Sequence, residues 1–233
     1  SVEFLSETYY HSLAALANEN EFKNQVLKHK AAIEHYFGVT PKAFRNTELI
    51  YSDAIGEMVH EMGFKTMLTE GAKHVLGWKS PNFVYTCANK SGLKLLLKNS
   101  SLSDDIAFRF SDRGWQDWPL TGEKYLSWMK AAAQDEEIIN LFMDYETFGE
   151  HQKAASGIFD FMRFFPEVVL NDGEFEFGRN GGSMSEVTYD GDALFGLRQP
   201  EVRLPEGLGP SIGQLVVLPD AVLDLFVFAF QAG

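Results

Sequence analysis

An α/β fold, with parallel strands and helices alternating into a barrel, is what this 233-residue chain predicts. Three observations carry that expectation. Short apolar runs alternate with longer stretches of helical periodicity, the pattern of βαβ units rather than of a sandwich. Four of those runs end in ionisable residues: Glu7, Arg45 with Glu48, Glu70, and Asp144 with Glu146. Such residues, recurring where successive strands end, suit the C-terminal rim of a barrel, where the chemistry of these folds resides. Polar residues at strand exits also cap the helices that follow, so the pattern counts by its recurrence. Finally, a hydrophobic share of 45% is enough for a globular protein with a sizeable core.

The elements follow in order. Residues 2–6 read as a strand and 10–37 as a helix stopped by Gly38. Residues 42–48, behind Pro41, form a strand with a polar exit. Ser52 caps a helix through Met62, and Gly63 ends it. The strand at 65–71 repeats the apolar-to-polar pattern. VYTC (84–87) and KLLLKN (94–99) read as two strands separated by turn residues Asn89 to Gly92. Helices are predicted over 102–111 and 121–134, a buried strand over 138–146 and a helix over 157–170. These residues, 1–170, make one catalytic domain. Residues 171–233 are an irregular Gly/Pro-rich segment, either a β-rich appendage or a misread, frameshifted end. The apolar VLDLFVFAF within it suits a buried strand or helix and is too short to span a bilayer.

Composition limits function. A formal net charge of −13 repels phosphate backbones and anionic lipid, so nucleic acid and membrane are poor partners while a neutral glucan is compatible. One cysteine, Cys87, excludes an internal disulfide and fits a reducing, cytoplasmic compartment. The chain opens on Ser1 inside an apolar run, which reads as a fragment. A chain cut inside a strand would leave an open sheet edge, a route to self-association.

The candidate chemistry is that of paired carboxylates. Glycoside hydrolysis needs one to attack or to stabilise charge and one to pass a proton. Glu7 can serve as the nucleophile or as the first-turn partner of a helix dipole. Asp144 lies in FMDYE between apolar flanks. Burial would raise its pKa, as a general acid requires, whereas backbone hydrogen bonds would lower it. Glu146 and His151 are placed to tune it or to bind sugar hydroxyls. RFSDRGWQDWPL (109–120) gathers Arg109, Asp112, Arg113 and Trp115, a composition for a glycan cleft or for a loop pinned into a minor core by Trp115 and Trp118. His11, His74 and His151 match no zinc spacing, so no metal or other cofactor is expected. No GxGxxG, Walker or GxSxG motif is present.

FLSETYYHSLA, FRNTELIY, LTEGAKHVLGW, LLLKNSSLSDDIAFRFSDRGW and LFMDYETFGEHQ, in that order, resemble glycoside hydrolase family 57, in its α-amylase-like branch, over residues 2–170. The resemblance implies an incomplete, seven-stranded parallel β/α barrel acting on α-1,4-glucans with retention. It places the family's nucleophile on Glu7 and its acid/base on Asp144. His11, Arg45, Glu48, Glu70, His74 and Trp78 join Arg109, Asp112, Arg113, Trp115, Glu146 and His151 as the expected substrate-binding set. The family's first two conserved regions, including a His-Gln-Pro motif, would precede Ser1. A downstream motif resembling Ser-Trp-Ala-Asp has no match, since all four Trp lie at 78–128. Two alternatives stay open: a 4-α-glucanotransferase or branching enzyme of the same family, and a truncated, non-catalytic glucan-binding relic.

Overall fold

The computed structural model describes residues 3–133 and 136–178, and the backbone of 225–232. Its elements are α1 (Ala14–Ala17), α2 (Glu19–Phe37), β1 (Ala43–Arg45), α3 (Asp53–Glu61), β2 (Thr66–Thr69), α4 (Lys73–Leu76), β3 (Tyr85–Thr86) and β4 (Lys94–Leu97), then α5 (Ser100–Asp104), α6 (Gly122–Ala133), β5 (Ile138–Asp144), α7 (Ile158–Asp172), β6 (Phe175–Phe177) and β7 (Leu225–Ala232).

Local chemistry explains where the elements differ from expectation. The single helix expected over 10–37 is two, because Asn18 adopts an extended conformation and its side chain accepts the Glu21 N–H at 3.0 Å. An N-cap of that kind starts a new helix rather than continuing the old one. Gly38, at φ 69°, stops α2 as expected. Ser52 caps α3 by accepting the Ile55 N–H at 3.3 Å. The helix expected over 102–111 starts at Ser100 and loosens into a π-turn at Asp105–Arg109. No helix among the described residues is long and apolar enough to cross a membrane.

The first sheet has the order β1-β2-β4-β3. β1 pairs with β2 and β2 with β4 in parallel, as βαβ units should. The strand expected at 2–6 shrinks to one parallel bridge. Ser6 donates to the Ala43 carbonyl and accepts from the Arg45 N–H, both at 2.9 Å. β3 runs antiparallel to β4, which corrects the all-parallel expectation. Residues 87–93 are too few for a parallel crossover, which takes a dozen or more.

The second sheet, β5-β7-β6, is antiparallel throughout. β7 pairs with β5 from Ile138↔Gln231 to Asp144↔Leu225. The C-terminal segment, expected to be irregular, thus contains two strands, while residues 179–224 lie outside the described residues. A closed seven-stranded barrel is not formed among the described residues; a mixed α/β assembly takes its place. The two sheets meet where the Asn99 N–H donates to the Asn140 carbonyl at 2.9 Å and Asn140 Nδ2 donates to the Leu97 carbonyl at 3.1 Å.

Strand pleating sorts the core into layers, since alternate residues face opposite sides. On the outer face, Phe44, Met67, Leu95 and Leu97 pack against Phe22 and Val26 of α2 and Ile55 and Val59 of α3. Ile139, Leu141 and Met143 of β5 pack outward against Met129, Phe161, Phe165 and Val169 of α6 and α7. The inner face holds Ala43, Leu68, Leu96, Ile138 and Phe142, with Leu5 against them. Fully buried side chains such as Phe22, Phe44 and Phe142 each contribute about 1.5–3 kcal/mol by leaving water. That rigid floor fixes what projects beyond it.

Candidate active site

Two residues past the last inward apolar residue of each of five chain segments stands a charged one. Leu5 is followed by Glu7, Ala43 by Arg45, Leu68 by Glu70, Leu96 by Lys98 and Phe142 by Asp144. A period of two keeps a side chain on the same face. The apolar inner layer is therefore succeeded, at the C-terminal end of the strands, by a charged layer. Across neighbouring strands its signs alternate: Glu7, Arg45, Glu70, Lys98, Asp144.

Glu7 and Arg45 form the buried half of this layer. Arg45 NH1 donates to Glu7 Oε2 at 2.8 Å, and the two residues are only 5% and 6% exposed, Arg45 being the lower. The flanking backbone is pinned by the Ser6 bridge to β1. The Glu7 N–H also points to Nδ1 of the buried His29 on α2 at 3.4 Å. Next to it, the hydroxyls of Thr8 and Thr47 share a hydrogen bond of 2.7 Å. Arg45 Nε has no hydrogen-bond partner among the described residues.

Asp144 is the first exposed residue of β5. Loss of water nonetheless dominates its titration and holds its carboxyl above the ordinary range. The Arg45 and Lys98 charges oppose that rise, and those of Glu146 and Glu48 reinforce it. Desolvation and the two acids prevail over the two cations.

Strained backbone follows both Glu7 and Arg45 in the chain. His11, Glu48 and Leu49 all hold left-handed backbone, at φ 48°, 54° and 53°. For residues with a Cβ this costs roughly 1–2 kcal/mol each. His11 Nε2 lies 3.4 Å from Glu48 Oε1, so two of the three strained residues meet. The Leu49 carbonyl accepts from both the Glu70 N–H and the Thr69 hydroxyl, at 3.2 Å each, which braces the turn against β2.

The remaining expected site residues divide into two groups. Glu70 accepts from the Ser100 hydroxyl at 2.7 Å, and His151 faces Glu146 at 3.8 Å; both belong to strand exits. The contacts of the other residues run elsewhere. Arg109 pairs with Asp105 at 2.6 Å within its own turn. Asp112 accepts the Gly114 N–H at 2.8 Å. Arg113 lies 5.6 Å over the Trp118 ring, and Trp115 packs edge-on against Trp128 of α6. The loop is thus tied by Trp115 to the core between β5 and helices α6 and α7. His74 sits on α4, and Trp78 just beyond it is 92% exposed. Among the described residues no cluster of three or more His, Cys, Asp or Glu is placed to hold a metal.

Sequence reading missed Lys98, although the strand-exit rule that selected Arg45 and Asp144 applies equally to Leu96-x-Lys98. It also missed His29, which approaches Glu7 across 22 positions of chain from the middle of a helix. No sequence pattern marks such a contact.

Carboxylates gathered at strand ends are the equipment of a glycoside-cleaving enzyme. The model of glycosyl hydrolase family 57 matches residues 1–180, and the chain belongs to that family. It is 47% identical over 167 residues to a protein of Methanocaldococcus jannaschii provisionally named an alpha-amylase. That match covers 71% of this chain and 35% of the relative, so the chain spans about a third of the length of the curated relative it matches. A crystal structure from Mycobacterium smegmatis, provisionally titled a polysaccharide deacetylase, superposes with a TM-score of 0.40 at 20% identity. It covers 56% of this chain and 43% of that one, too slight a likeness to inform the fold.

Proposed function

We propose that the protein cleaves α-1,4-glucans by double displacement, with Glu7 as nucleophile and Asp144 as proton donor and then base. The observation that carries this reading is the unlike setting of the two carboxyl groups. Glu7 is an ion-paired carboxylate buried against Arg45, held in one orientation as an attacking group should be. Asp144 is pushed toward its protonated form, chiefly by desolvation, as an acid working near neutral pH should be. Two carboxyl groups whose surroundings divide their roles are the general mark of acid and nucleophile assignments.

In the first step Glu7 bonds to the anomeric carbon as the glycosidic C–O bond breaks, and the Asp144 proton passes to the leaving oxygen. In the second, Asp144 takes a proton from water as that water's oxygen replaces Glu7 on the same carbon. Retention results from the two inversions. His11, Glu48, Glu70, Glu146 and His151, standing at the exits, supply hydrogen bonds to sugar hydroxyls. Family membership and the likeness to a protein provisionally named an alpha-amylase favour α-glucan as substrate.

The test is reducing-sugar release from soluble α-1,4-glucan, with the anomer of the first product followed by proton NMR. Retained product, absent with Glu7→Gln, is expected. Inverted product would refute the double displacement. Chain-length redistribution without net reducing sugar would assign the site to transfer, and binding without turnover would leave only a glucan-binding role.

A further inference from the structure

We propose that α5 and the π-turn after it form a clamp that positions Asp144, with Ser103 holding the chain before it and Gln152 the chain after it. On the double-displacement reading above, this adds two positioning residues to the reaction. The stretch LLLKNSSLSDDIAFRF (95–110) supplies neither of the proposed catalytic carboxyl groups, yet it is fastened along the segment that carries one of them.

β5 pairs with β7 along one edge. Its other edge and its exit are met by Asn99, Ser103 and Ala107, each four residues after the last, a spacing that keeps them on one face of a helix. The Asn99 N–H donates to the Asn140 carbonyl at 2.9 Å. The Ser103 hydroxyl accepts the Phe142 N–H at 3.1 Å. The Ala107 carbonyl accepts from Gln152 Nε2 at 2.9 Å. A buried hydroxyl and a buried side-chain amide are costly without partners, and both Ser103 and Gln152 are almost wholly enclosed. Asp144 lies between the second and third of these ties, two residues past Phe142.

The third tie depends on the π-turn. The wider turn at Asp105–Arg109 takes carbonyls off the regular helical ladder, which frees one for a side chain. Arg109 braces the turn by donating to Asp105 at 2.6 Å. On the other partner, the chain beyond Asp144 folds back on itself. The Gln152 N–H donates to the Thr147 carbonyl at 2.8 Å, and the Gln152 carbonyl accepts the Gly149 N–H at 3.1 Å. Gln152 Oε1 has no partner among the described residues, so Nε2 alone ties the side chain to the clamp.

Asp144 is exposed at the end of its strand. An acid must stand within hydrogen-bond reach of the leaving oxygen, and a displacement of about 1 Å can cost on the order of a hundredfold in rate. Such a displacement slows only the cleavage that needs a proton. A glucan leaving group must be protonated as its C–O bond breaks. Fluoride departs with the electron pair of the C–F bond while Glu7 bonds to the same carbon, and no acid is required.

The test compares kcat/KM on soluble α-1,4-glucan with kcat/KM on α-maltosyl fluoride in the whole protein. Gln152→Met keeps the size of the side chain and removes the donor. It should lower the value for glucan about tenfold or more and leave that for the fluoride nearly unchanged. Ser103→Ala opens the other jaw, should show the same selective loss, and decides the matter where Gln152→Met does not fold. An equal loss on both substrates, or no loss, in either folded variant would overturn the clamp. Asp144→Asn is the reference and should show the same selectivity more strongly. If it loses both substrates alike, the acid assignment in the functional reading fails. The clamp is then read by amide hydrogen exchange over residues 145–151, which Gln152→Met must speed. Unchanged exchange there would overturn it.

Discussion

Glu7 and Asp144 occupy equivalent places, each two residues beyond an apolar residue of the inner floor, yet their surroundings differ in nearly every respect. Glu7 is enclosed, with Arg45 on its carboxylate and His29 beneath its backbone. Asp144 opens to solvent, with cations and anions in near balance around it and desolvation deciding the outcome. One position encloses its carboxylate against a cation, and the other leaves its carboxyl exposed with its pKa raised. The fold supplies the same scaffold to both; what separates them is which neighbour the charged layer sets beside each.

The largest effect expected from breaking this comparison is on catalysis at the enclosed end. Glu7→Gln removes the proposed nucleophile while keeping an acceptor for Arg45. Initial rates on soluble glucan should fall by on the order of four powers of ten or more. A variant retaining a tenth of the rate would move the nucleophile elsewhere.

Next comes stability at the same end. Arg45→Met leaves a buried carboxylate without its cation and should cost about 3–5 kcal/mol in urea unfolding. The double change Arg45→Met with Glu7→Leu should recover most of that loss, because a well-packed apolar pair replaces a buried ion pair at little cost. A single-variant cost under about 1 kcal/mol would place the pair effectively in water.

At the open end the sign is reversed. The native pKa of Asp144 lies above its ordinary value of 3.8, so folding favours the protonated carboxyl. The stability contributed by that group is complete below the unfolded value and is lost as pH rises through the native one. Asp144→Asn does not ionise, so its melting temperature should gain on that of the wild type as pH is raised from 4 toward neutrality. A gap that narrows instead would show Asp144 to be stabilised as the carboxylate.

The smallest effect belongs to the strained turn. Glu48→Gly relieves a left-handed residue and should stabilise the protein by about 1 kcal/mol. It also removes an acid that raises Asp144. The alkaline limb of the activity profile should therefore shift to lower pH. A stabilised variant with an unmoved limb would separate the strain at Glu48 from the titration of Asp144.

Much of the charged layer was legible because it follows from period-two placement at strand exits. Glu7, Arg45, Glu70 and Asp144 are readable from apolar runs that end in charge, and Lys98 would have been by the same rule. Caps were equally readable, as Ser52 shows, since a side-chain oxygen and an orphan N–H need only local chain. Helix breaks inside a periodic stretch were not. Asn18 looks like an ordinary helix-surface residue until its extended backbone is seen. Pairing direction was readable only where the connection is short, as between β3 and β4. The β5-β7-β6 sheet depends on partners distant in sequence, which apolar patterning does not encode. Engagement was the least visible property of all. Arg45 reads as a sugar-binding side chain in the sequence and is enclosed with Glu7 in the structure.

The central claim is that Glu7 attacks while Asp144 moves the proton, and covalent trapping tests it most directly. A fluorinated α-glucosyl fluoride that forms the glycosyl-enzyme quickly and releases it slowly would be incubated with the protein, which is then digested and sequenced by mass spectrometry. The account predicts one adduct, on the peptide carrying Glu7, and none after Glu7→Gln. An adduct on Asp144, or one that persists in the Glu7→Gln protein, would contradict it.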